Sequence, residues 1–143
     1  MRWFGGSKRK EVWEEDFHSP IGDLEAAEKI RSICRSAADS AERVGLRGDR
    51  TTTAKRRDKK AEHDGERYHL ALRAAMAIAM KISDDLMRDA AVREIVDLCL
   101  KASDVNTAQT LFGAIQAAAI RDMVLSDHPT LQGLERAVQN SGP

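Results

Sequence analysis

Apolar residues recur at steps of three and four along most of the chain, and no stretch alternates apolar with polar for long, so the pattern predicts helices and no strand. Behind Asp23, read as an N-cap, Ala26, Ile30, Ile33, Cys34, Ala37, Ala41 and Val44 share one face of a first helix that ends at Gly45 and Gly48. A loop over 46–53 follows, with Thr52 or Thr53 placed to cap the second helix. That helix is almost wholly charged over 54–67 and then carries an apolar band of Leu72, Ala75, Met76, Ile78, Ala79 and Ile82. Its charged half is expected to project beyond the core or to fray. Ser83 and Asp84 cap a third helix that runs to about Ala102, with Met87, Ala91, Ile95, Leu98, Cys99 and Ala102 as its buried stripe. Asp104 caps a fourth, in which Val105, Ala108, Leu111, Phe112 and Ile115 point inward, and the short link before it folds the third and fourth helices into an antiparallel hairpin. Residues 117–125 remain helical in composition until Pro129, and Leu131, Leu134 and Val138 form a last amphipathic piece.

The pattern also returns on itself. Ala75, Ile78, Ile82, Arg88 and Asp89 reappear 33 residues later as Ala108, Leu111, Ile115, Arg121 and Asp122, four of the five positions being identical. Each copy reads as the end of one helix, a turn and the start of the next, so Arg88–Asp89 and Arg121–Asp122 are expected at equivalent turns. Over about 67–127 the chain resembles the tetratricopeptide-like family of helical-hairpin repeats, and the resemblance implies a concave face that binds a peptide or a helix. A one-off helical bundle, whose hairpins look alike because alanine lets helices approach closely, accounts for the same pattern. Either way the fold class is all-α: four or five helices arranged as stacked antiparallel hairpins.

Composition narrows the picture. The 143 residues suffice for one domain that buries roughly two thirds of the surface exposed by the unfolded chain. With 42% apolar but only 4% aromatic residues, the core must come from Ala, Leu, Ile, Val and Met, which suits closely packed helices. The expected domain is 21–143, preceded by a flexible arm over 1–20 in which Trp13 and Phe17 could pin a short helical turn. Lysine plus arginine equal aspartate plus glutamate, 23 against 23, so the whole molecule exerts no net pull on nucleic acid or anionic lipid. Cys34 and Cys99 sit among apolar residues at helical spacing, which reads as two buried thiols in the reducing cytoplasm. No run approaches a transmembrane span or a signal peptide.

Candidate chemistry is sparse. Glu66 with His69, and Glu15 with His18, have the E-x-x-H spacing of carboxylate-bridged metal bundles, but no further inward carboxylates accompany them, so no metal or other cofactor is expected. No Ser, His and Asp grouping, phosphate-cradling glycine loop or C-x-x-C pair occurs, which argues against an enzyme. Lys55, Arg56, Arg57, Lys59 and Lys60 form the densest basic run and are the candidate contacts to nucleic-acid phosphates, although a salt-bridged, solvated helix face explains them as well. Trp3, Phe4, Lys8, Arg9 and Lys10 have the chemistry of a weak membrane-interface anchor, or of a plain disordered extension. The sequence thus points to a non-enzymatic protein-interaction or adaptor module whose partner is a protein, a peptide or a second copy of itself. The alternative is a small nucleic-acid-associated regulator that uses the basic run.

Overall fold

The computed structural model describes residues 11, 13, 21–48 and 55–131, and the expectations for the first ten residues, Glu15, Phe17, His18, Thr52, Thr53, Leu134 and Val138 fall outside them. Among the described residues the fold is all-α, with five helices: α1 (Asp23–Gly48), α2 (Lys55–Ala79), α3 (Asp85–Lys101), α4 (Val105–Ala114) and α5 (Ala118–Asp127). Helical backbone resumes over 129–131, and no strand occurs among the described residues. The long helices α1 and α2 pack most extensively, α3 lies across both, and α4 folds back along α3. Although only Ile115–Ala117 separates α4 from α5, the two make little contact with each other, and α5 also turns toward α3.

The core follows from the periodicity. Ala26, Ile30, Ile33, Ala37 and Ala41 of α1 meet Ala71, Ala75 and Ile78 of α2, all of them fully buried, and Ile95, Val96 and Leu98 of α3 close the layer. Each large aliphatic side chain buried here contributes about 1.5–3 kcal/mol, while the alanines bring the helix axes close. Trp13, from the segment expected as an arm, is also buried, with the Arg67 guanidinium 5.2 Å from its ring centroid. Leu131 joins the same core.

Three sequence expectations need correction. The first helical bond of α1 runs from Ala26 N–H to the Gly22 carbonyl, so Asp23 is not the cap, and its carboxylate is free for another task. The charged half of α2 does not simply project from the core: Asp64, 1% exposed, packs against α1, where it accepts from Arg43 Nε at 3.0 Å and Arg47 Nη1 at 2.8 Å. Met76 and Val105, expected inward, are both partly exposed, because helical spacing shows which residues share a face and not whether another helix covers it.

The link between α3 and α4 is a tight reversal. Ser103 adopts φ 58°, Ser103 N–H donates to the Leu100 carbonyl, and Asp104 N–H donates to the Cys99 carbonyl, the pair of bonds that closes a helix end on a left-handed residue. Asp104 then caps α4 through Thr107 N–H and accepts from the buried Tyr68 hydroxyl at 2.7 Å, tying α2 to the reversal. Near the same end Gly45 of α1 faces the Lys101 carbonyl so closely that an added Cβ would collide with backbone. Gly45→Ala is therefore expected to lower stability by about 1–3 kcal/mol in urea denaturation, although alanine is the better helix former.

Candidate functional site

The turns that enter α3 and α5 share one hydrogen-bonding arrangement. In the first, Arg88 Nη1 donates to the Ile82 carbonyl at 3.3 Å, while the amides of Ser83 and Asp84 donate to the two oxygens of Asp23 at 2.8 and 2.9 Å. In the second, Arg121 Nη1 donates to the Ile115 carbonyl at 3.0 Å, while the amides of Gln116 and Ala117 both donate to Oδ2 of Asp89 at 3.1 and 2.9 Å. Each turn thus has a carboxylate from an earlier helix on its amides and an arginine six residues downstream on its isoleucine carbonyl. Those amides carry the positive end of the following helix dipole, so a carboxylate suits the site electrostatically as well as by hydrogen bonding. The amides of Ser83 and Asp84 accordingly hold Asp23 below the usual carboxylate range. Ile82 and Ile115 are both buried, and the Arg121 guanidinium also lies 4.4 Å from the Phe112 ring centroid. The two aspartates of the echo differ: Asp89 is 5% exposed and clamps the next turn, whereas Asp122 is exposed on α5.

This framework sets up a groove. α4 lies along α3 and makes little contact with either α5 or α2. The result is a hollow of about 170 Å³ with Met76, Ala79 and Met80 on one wall, Leu111 and Ala114 of α4 on the other, and Arg88, Asp89, Val92 and Ile95 of α3 as its floor. The rim is apolar and open, Met80 being 82% exposed. Small-molecule pockets run to about 300–1,000 Å³ and enclose their ligands, so this hollow suits a few side chains of a docking segment. Methionine, unbranched and polarizable, adapts to such an occupant.

No family model, curated protein or solved structure matches this chain.

A larger hollow of about 290 Å³ between α1 and α3 is lined by Arg31, Cys34, Arg35, Ala38, Glu94, Asp97, Leu98 and Lys101. Both of its carboxylates are engaged: Arg31 Nε meets Glu94 at 3.2 Å, and His128 Nε2 meets Asp97 at 2.7 Å. Burial pushes the Cys34 thiol up to about 12 and that of Cys99 up to about 11, so both stay protonated and neither behaves as a nucleophile at neutral pH. Burial likewise raises Tyr68, reinforced by its hydrogen bonds, so its hydroxyl stays a donor to Asp104.

The residues singled out from the sequence are scattered. Lys59 and Lys60 are exposed on the first turns of α2; Lys55, Arg56 and Arg57 belong to its first turn, with side chains outside the described set. Glu66 and His69 are exposed, and no group of three metal-ligating side chains gathers among the described residues. No helix among them is long and apolar enough to cross a membrane. Asp89 and Met80, which define the groove, carried no signal beyond the echo and the end of an apolar band.

Proposed function

We propose that this chain is a non-enzymatic protein-interaction module of the cytoplasm, and that the groove between α2 and α4 takes an apolar helical segment of a partner protein. The observation that carries this reading is the uncovered methionine wall, Met76 and Met80, facing Leu111 across a floor already packed by α3. Exposed apolar surface shaped as a groove is what a helix-in-groove interface needs. A concave face between paired helices is also what the tetratricopeptide-like resemblance implies. The two free thiols suit a reducing compartment.

The test is a selection of phage-displayed helical peptides on the immobilised full-length protein, followed by binding to Met80→Glu. Because Met80 is so exposed, the charge leaves the fold intact and is expected to weaken the enriched peptides about tenfold or more. Enriched peptides that bind Met80→Glu as tightly as the wild type, or no enrichment at all, would contradict the groove.

A further inference from the structure

The groove floor is not wholly apolar. Asp89 lines it while being 5% exposed, and its Oδ2 already accepts both turn amides. Oδ1 has no hydrogen-bond partner among the described residues and is not among the side-chain atoms sealed from solvent, and the residue lines the hollow. The neighbouring Arg88, which also lines the groove, cannot turn to it without loss: Nη1 is on the Ile82 carbonyl and Nη2 on Asp85 Oδ1 at 2.6 Å. A carboxylate oxygen in an apolar hollow is tolerable while water reaches it. Once an occupant covers it, that water is lost, and a charge left unpaired there opposes binding. A wholly apolar occupant would incur that cost, whereas one bringing a cation replaces the water with a charge-assisted hydrogen bond.

We infer that the segment docking in this groove is an apolar helix bearing one central lysine or arginine, and that Oδ1 of Asp89 is the group that recognises the cation. The inference rests on the groove reading above and adds to it a specificity determinant: Met76, Met80 and Leu111 select for apolar surface, and Asp89 selects for the basic residue within it. Peptides carrying an acidic residue at that position are rejected, because they would set two carboxylates together in a desolvated site.

Asp89→Asn separates recognition from structure. The carboxamide oxygen takes the place of Oδ2 and keeps the amides of Gln116 and Ala117, while its NH2 group takes the place of Oδ1 and presents donors where the cation must bind. The denaturation midpoint should stay close to that of the wild type. Helical peptides selected on the full-length protein are expected to share one Lys or Arg flanked by apolar residues at helical spacing, and to weaken about tenfold or more on Asp89→Asn. Replacing that basic residue by norleucine should weaken binding to the wild type and cost nothing further on Asp89→Asn, the mark of a direct pair. Selected peptides without a basic residue, equal binding to Asp89→Asn, or additive losses would overturn the inference. If such peptides still fail on Met80→Glu, the groove stands and only the role given to Asp89 falls.

Discussion

Asp89→Ala is expected to lower stability by about 3 kcal/mol, one of the two largest losses among the substitutions considered. The carboxylate holds the Gln116 and Ala117 amides at 3.1 and 2.9 Å, and truncation strands both at the start of α5. A buried donor left unmade costs about 1–3 kcal/mol, and the lost charge at a helix N-terminus adds some tenths. Urea denaturation followed by far-ultraviolet circular dichroism measures the loss directly. Asp89→Asn, which retains an acceptor, should cost less than about 1 kcal/mol; the contrast separates the clamp from the charge. If Asp89→Ala were as mild as Asp89→Asn, the amides would have found other partners and the clamp would not be holding the turn.

The second concerns Asp64. Burial alone would push this carboxyl up, but hydrogen bonds from Arg43 and Arg47 outweigh burial and hold it below its ordinary 3.8. Removing both arginines in Arg43→Ala/Arg47→Ala leaves a carboxylate with a side chain 2% exposed and no counterion, at a cost of about 3–5 kcal/mol at neutral pH. The pH dependence fixes the sign. In the wild type the folded value lies below the unfolded one, so its stabilising contribution is present above 3.8 and is lost as pH falls through the folded value. In the double variant burial acts unopposed, the folded value rises, and protonation relieves the penalty. The deficit should therefore narrow between pH 7 and about pH 3, and adding Asp64→Asn should recover part of it at pH 7. A deficit independent of pH would mean that the arginines act by packing.

These two aspartates also mark what the sequence could and could not reveal. Ala26, Ile30, Ile33, Ala37 and Ala41 were legible as a buried face, since burial against a neighbouring helix imposes its own spacing. Asp84 and Asp104 were legible as caps because a cap bonds to an amide three residues on, and both do. Asp23, Asp64 and Asp89 were not, because their partners lie 60, 21 and 27 residues away and follow from how the helices stack. Asp23 looked like a cap for its own helix yet serves the turn before α3. The echo held a trace of the site, since Arg88 and Arg121 make the same bond to Ile82 and Ile115. What it could not show is that Asp89 carries two amides on one oxygen and leaves the other open.

The groove depended on a missing neighbour, which is harder still to read. Met76 continues the apolar band of α2, and nothing in its spacing shows that α4 packs on α3 with little contact to α2 and leaves Met76 partly exposed. A band that could have packed inward thus became a surface, with Met80 just past the helix end extending it.

The methionines supply their own reporters for the central claim. Met76 and Met80 line the groove, Met87 lines a separate hollow between α1 and α3, and Met123 sits on α5 beside Arg93. Carbon-13 methyl spectra of the full-length protein, titrated with the tightest display-selected peptide, should shift Met76 and Met80 and leave Met87 and Met123 in place. Shifts confined to Met87 or Met123, with Met76 and Met80 unmoved, would contradict docking between α2 and α4.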